Sequence, residues 1–168
     1  NNDFNGANQE GVGFYQVTQK SGQRHSSAAA YLKPALQRPN LTIITAAHAA
    51  QLVFDRQRVV GIDYVRKQLR RRVTVSREAI LACGAIGSPQ LLLLSGIGPA
   101  EHLTALGIPV TQDLPGVGQN LQDHLGTILT YQCTQPVSLS NAEKVGSLIR
   151  YVLFRQGPLT SNISEAGA

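Results

Sequence analysis

The segment from Glu78 to Gly98, E-A-I-L-A-C-G-A-I-G-S-P-Q-L-L-L-L-S-G-I-G, constrains the fold more than any other part of the chain. Ala79 to Cys83 is a short unbroken apolar run closed by Gly84, the pattern of a central strand covered on both faces in a layered α/β sheet. Ser88 is a favourable N-cap and Pro89 suits a first helical position, so a short helix is expected over Gln90 to Leu94, stopped by Ser95-Gly96. A strand, a turn of small residues and a helix N-terminus bring main-chain N–H groups to the surface with no side chain in the way. That arrangement suits close approach by an anionic ligand.

The rest of the chain supplies a meander and helices around this segment. Gly11-Val12-Gly13 leads into a strand at Phe14 to Thr18, Ser21-Gly22 is a turn, and Ser26 or Ser27 caps a helix through Ala28 to Leu32. Leu41 to Thr45 reads as a strand. Three more β segments follow at about Ala49 to Phe54, Val59 to Val65 and Arg72 to Ser76, separated by turn signals at residues 55–58 and 67–68. Pro99 opens a second helix, with Glu101 in its first turn and Gly107 at its end. Leu125 to Cys133 is strand-like, and Ser140 or Asn141 caps a helix from about Ala142 to Phe154, where Val145, Leu148, Ile149 and Val152 recur at helical spacing.

Composition narrows the function classes. The 168 residues are 42% hydrophobic with no run of transmembrane length, which predicts a soluble domain with a real core. Methionine is absent even at position 1, and the sequence reads as an interior piece of a longer polypeptide. Cys83 and Cys133 form neither a disulfide framework nor a metal cluster, so no metal is expected. Fifteen Lys and Arg against ten Asp and Glu give +5, with Arg66, Lys67, Arg70, Arg71, Arg72 and Arg77 crowded together. Their alternation with Val73 and Val75 marks the exposed side of a hairpin, and no aromatic residues are interleaved for base stacking, so nucleic acid is not the expected partner.

The residues of the opening segment also carry a resemblance. Gly84-Ala85, Ser88-Pro89, Leu91-Leu92 and Ser95-Gly96-Ile97-Gly98 are similar to the second signature of the glucose-methanol-choline (GMC) family of flavin-dependent oxidoreductases. Leu114 to His124, L-P-G-V-G-Q-N-L-Q-D-H, resembles the family's loop between cofactor and substrate regions, and Gly22-Gln23-Arg24, Ser26 and Tyr31-Leu32 resemble its approach to the cofactor domain. The resemblance is to the choline dehydrogenase and aliphatic alcohol dehydrogenase branch. It implies an α/β fold, α+β in isolation: part of an FAD-binding layered domain with an antiparallel meander, followed by the start of a substrate-binding domain. The implied boundaries are 1–37 leading in, 38–124 for the central FAD-binding part, and 125–168 for the substrate-binding start.

The resemblance also implies chemistry. A primary alcohol, choline or aliphatic, passes hydride to flavin N5 of FAD and leaves as the aldehyde. Implied cofactor contacts are Ala49, by its main chain to the adenine, and Ala82, Cys83, Gly84 and Ala85 at the small-residue turn. The family's G-x-G-x-x-G fingerprint and its catalytic histidine have no counterpart in this chain, so no catalytic residue is carried over. The isolated polypeptide is expected to bind FAD weakly or not at all and to show no turnover. The implied location is cytoplasmic, with the parent peripheral to the inner membrane.

Other chemistry in the chain is set aside. Gly116-x-Gly118-x-x-Leu121 and Gly96-x-Gly98-x-x-Glu101 both lack the third glycine of a dinucleotide motif. Asp123 and His124 are adjacent and no G-x-S-x-G elbow accompanies them, so a structural role is expected, and Glu165 reads as solvent-exposed. Two rival functions are weighed: a non-catalytic module that self-associates, as a homodimer, through an uncovered sheet edge or apolar face, and a basic nucleic-acid binder.

Overall fold

In chain order the elements are β1 (Gly13–Phe14), β2 (Gln19–Lys20), β3 (Gln23–Arg24), a wide helical turn Ala28–Leu32 running into α1 (Lys33–Ala35), β4 (His48–Asp55), β5 (Arg58–Arg66), β6 (Leu69–Thr74), α2 (Gly84–Leu94), β7 (Ile97–Gly98), α3 (Ala100–Ala105), β8 (Gln112–Asp113), α4 (Val145–Phe154), a 3₁₀ turn Pro158–Thr160 and β9 (Ala166–Gly167). This computed structural model describes residues 1–135, 138–139 and 142–168. The chain forms two units, residues 43–127 and residues 1–42 with 128–168.

Residues 43–127 are organised by the meander. β4, β5 and β6 form an antiparallel sheet in that order. Lys67 and Gln68, both with positive φ, close the tight β5–β6 hairpin. A bulge at Ala50 shifts the β4 register between Ala49, opposite Tyr64, and Gln51, opposite Asp63. Asp63 is 5% exposed on β5 and is held from β6 by Arg72 directly opposite and by Arg70 on the diagonal, at 2.6 and 2.8 Å. The Arg72 hydrogen bonds, helped by those of Arg70 and opposed by burial, hold the Asp63 carboxyl at about 2, below the usual carboxylate range. The arginine cluster is thus the exposed hairpin edge the sequence predicts, with two of its members neutralising a buried carboxylate.

α2 lies beside β4, and the junction is a hydroxyl. The buried Ser95 Oγ accepts the Leu52 N–H at 2.8 Å and donates to the Leu91 carbonyl at 2.6 Å, joining the sheet edge to the helix C-terminus. Leu52, Leu91 and Leu103 are the buried apolar core. Beyond Ser95 a small parallel unit follows: β7 pairs with β8 across α3, and the Asp113 carboxylate accepts the Ala100 N–H at the start of α3 at 3.0 Å. Gly96, at φ 81°, passes against the Pro109 carbonyl, and any side chain there overlaps it.

In the other unit β1 pairs with β9, and β2 pairs with β3 around the expected Ser21-Gly22 turn. α4 ends at Arg155 in the left-handed region, its guanidinium 4.9 Å from the Tyr151 ring.

Several expected elements differ. Ala79 to Cys83 pairs with no other strand among the described residues, and Ile80 is 81% exposed. Leu41 to Thr45 and Leu125 to Cys133 likewise form no strand, and Leu125 is fully exposed. An apolar run supplies a strand's side chains but not the neighbouring edge that satisfies its N–H and C=O groups. The strand at residues 14–18 is cut to Gly13–Phe14 for the same reason. α2 begins at Gly84, not Gln90, so Pro89 lies inside the helix and Ser88 caps backwards, its Oγ accepting the Cys83 N–H at 3.0 Å. α4 begins at Val145 after Lys144; the expected caps Ser140 and Asn141 lie outside the described residues.

Candidate functional site

The N-terminus of α2 is formed by the turn of small residues. Gly84 has φ 82°, a conformation glycine adopts freely and side-chain-bearing residues resist, and it lets the extended run Ala79–Cys83 turn into the helix. A Cβ placed at Gly84 meets nothing within 4 Å, so the turn faces open space and is not covered by the chain's own side chains. Ala82, Cys83, Gly84 and Ala85 are all exposed. The first N–H groups of an α-helix have no intrahelical acceptor, and no side chain caps this one, so the amides of Gly84, Ala85 and Ile86 point outward from the turn.

Two cavities flank the turn. One, of about 360 Å³, is lined by Ala47, His48 and Ala49 from the start of β4 and by Cys83, Gly87, Gln90, Leu91 and Leu94. The other, of about 800 Å³, lies between Ala85, Ile86, Pro89, Gln90 and Leu93 of α2 and the loop Gly118 to Gln122. Of the five residues expected to contact a cofactor, Ala49 and Cys83 therefore share one cavity. Ala85 lines the other, and Ala82 and Gly84 are at the open turn between helix and extended run. A third cavity, about 650 Å³, lies in the other unit among Gln16, Thr18, Arg24, Thr160, Ser161 and Asn162 and contains none of the five.

Other groups meet here, some of which the sequence reading did not single out. His48, Gly87 and Gln90 line the Ala49–Cys83 cavity, and the signal for Gly87 and Gln90 was their helical spacing from Cys83, hidden because the helix was expected to start later. Pro89 has no N–H to offer the Ala85 carbonyl one turn earlier, and both residues line the larger cavity. The loop Leu114–His124 reaches the same cavity as α2, so the two most specific sequence motifs converge in space. Asp123 accepts the His124 N–H at 2.8 Å on the exposed loop. No group of His, Cys, Asp and Glu able to hold a metal occurs among the described residues.

Comparison with known proteins then places the chain. Residues 1–126 match the family model described as GMC oxidoreductase. The chain belongs to the GMC oxidoreductase family. It is 48% identical to an alcohol dehydrogenase [acceptor] of Pseudomonas putida over 99% of its own length and 32% of that protein, and 49% identical to the mitochondrial choline dehydrogenase of Mus musculus over 84% of the chain and 24% of that protein. It thus spans about a quarter to a third of the curated relatives it matches. Among solved structures it superposes on an FAD-dependent oxidoreductase from Chaetomium thermophilum with TM-score 0.80 at 27% identity, covering 93% of this chain and 29% of that one. It superposes on a fungal aryl-alcohol oxidase with TM-score 0.80 at 28% identity, covering 94% and 28%.

Within a GMC oxidoreductase the two signature glycine groups do different work. Gly96 and Gly98 serve internal packing: Gly96 against Pro109, and Gly98 against the Leu93 side chain. The Cys83–Ala85 turn instead leaves its main chain bare. Small, exposed residues, orphan N–H donors and an open flank fit a large planar cofactor with an anionic linker.

Proposed function

We propose that this chain contributes the central part of the FAD seat in an alcohol-oxidising dehydrogenase, with choline or an aliphatic primary alcohol as substrate and the aldehyde as product. The observation that carries the reading is the bare turn at Cys83-Gly84 opening beside a cavity shared with Ala49. FAD, when bound, supplies the hydride acceptor. The chain's own residues supply position: the Gly84 and Ala85 amides offer uncapped donors, Gly84 admits close approach, and Ala49 offers a strand edge. The names of the relatives favour this substrate class, and the domain boundaries that go with it are 1–37, 38–124 and 125–168. In this reading 125–168 opens the substrate-binding domain.

No helix among the described residues is long and apolar enough to cross a membrane. The compartment that suits the proposal is the cytoplasm, with peripheral attachment to the inner membrane. The rival reading, a homodimer that self-associates through Ala79–Cys83, draws on the exposure of Ile80 on an unpaired segment.

The test is alcohol-dependent dye reduction by the full-length polypeptide that carries this sequence. The expected result is a flavin spectrum bleached by choline or a primary aliphatic alcohol, with dye reduced in step. A flavin-free protein, or a flavin that no primary alcohol bleaches, overturns the proposal.

A further inference from the structure

The cavity of about 650 Å³ within residues 1–42 and 128–168 takes no part in the flavin reading. Its walls come from segments far apart in sequence: the β2–β3 hairpin with the residues just before it, and α4 with the 3₁₀ turn that follows. Two close approaches fix their spacing. The Gln19 side-chain amide donates to the Thr160 carbonyl. Gly22, at φ 67°, lies so near the Arg155 carbonyl that any Cβ there overlaps it.

The two walls differ in what their polar groups have left to offer. Thr160 donates its hydroxyl to the Gly157 carbonyl, Ser161 Oγ accepts the Ile163 N–H and Asn162 donates to the Ser164 carbonyl, at 2.8, 3.0 and 2.7 Å. Those three bonds shape the wall. Gln16, Thr18, Arg24 and Tyr151 make no side-chain hydrogen bond or ion pair among the described residues, so an amide, two hydroxyls and a guanidinium remain as donors. No Asp or Glu among the described residues lines the cavity to neutralise Arg24.

We propose that this cavity binds a small oxyanion, a carboxylate or a phosphate, on the Arg24 guanidinium. The planar fork of an arginine meets two oxygens of such a group at once, and Gln16, Thr18 and Tyr151 offer further donors around it. An arginine on an open surface gains little by exchanging water for an ion. In a concavity of this size its donors converge with others, and one anion replaces several waters. The site lies beyond the proposed alcohol oxidation: none of the five expected cofactor contacts lines it, and oxyanion binding is read without flavin.

The test is a nuclear magnetic resonance titration of the labelled chain, free of FAD, with inorganic phosphate and separately with succinate at constant ionic strength. The Arg24 Nε–H signal and the amides of residues 22–24 and 160–162 are expected to move along one saturable curve, and the anion with the tighter curve names the source. Arg24→Gln is expected to weaken binding about tenfold or more, the loss of a charge-assisted pair. Arg24→Lys recovers only part of it, because an ammonium lacks the fork. Gln16→Ala, which changes no charge, is expected to weaken binding about threefold, the loss of one neutral hydrogen bond. Saturation no tighter at Arg24 than at Arg56, an exposed arginine on the β4–β5 turn, is general ion pairing and overturns the proposal. Shifts that stay linear with anion concentration overturn it as well, as does full affinity in Arg24→Gln with a native circular dichroism spectrum.

Discussion

The Ser95 hydroxyl accepts the amide of Leu52 at 2.8 Å, a bond across 43 positions of sequence that fastens the outer edge of the meander to the end of α2. The same hydroxyl donates to Leu91 at 2.6 Å, so both of its hydrogen-bonding capacities are used inside the protein. The edge strand β4 is thereby held beside the Cys83–Ala85 turn, and Ala49 is kept in the wall of the cavity that turn opens onto.

Ser95→Ala leaves the Leu52 N–H buried without an acceptor. The expected loss is about 1–3 kcal/mol of unfolding free energy, measured by urea denaturation. Ser95→Thr, which keeps the hydroxyl, is expected to recover part of that loss. An unchanged midpoint for Ser95→Ala contradicts the staple.

Asp63 gives stability a pH dependence. Its carboxyl is held at about 2 in the folded protein, below the ordinary 3.8 of an aspartate, so the folded state favours the charged form. That contribution is fully present above the unfolded value and is lost as pH falls through the folded one. The melting temperature should therefore drop between about pH 4 and pH 2 more steeply in the native chain than in Asp63→Asn. Parallel curves for the two proteins contradict the assignment.

Among the described residues Leu103 is the one large side chain with no exposure at all, packed where α3 meets β7. Leu103→Ala is expected to cost about 2–5 kcal/mol, read from the same denaturation curves. Gly96→Ala should also destabilise, since it places a methyl group against the Pro109 carbonyl at φ 81°.

Much of the fold was legible where local signals and their partners both lie in the chain. The meander, its turns at residues 55–58 and 67–68, and the helix between Pro99 and Gly107 follow from period-two alternation and turn chemistry. Ala79–Cys83 was misread as a paired strand because its composition describes burial on two faces, whereas pairing depends on an edge offered by another segment. The start of α2 was placed too late because Ser88-Pro89 is the pattern of a helix start; the real start uses Gly84, whose left-handed conformation no propensity scale marks as helical. The pairing of Asp63 with two arginines was hidden for a different reason. It depends on the β5–β6 register, which the two-residue turn at Lys67 and Gln68 sets.

The central claim is that a flavin cofactor approaches the bare main chain at Cys83–Ala85 and the edge of β4. Gly84→Val tests it by function: in the full-length polypeptide it should lower bound flavin at least tenfold per folded molecule. A Cβ there touches nothing within 4 Å of this chain, so the cost to folding is about 1–3 kcal/mol, that of holding a β-branched residue at a φ of 82°.

The most direct measurement is an amide chemical-shift titration of the isotopically labelled chain with FAD, carried to millimolar cofactor to reach weak binding. The account predicts that the amides of Ala49, Ala82, Cys83, Gly84 and Ala85 move together along one saturable curve. Saturable shifts that bypass these five and appear instead at the Gln16–Arg24 and Thr160–Asn162 cavity would contradict it.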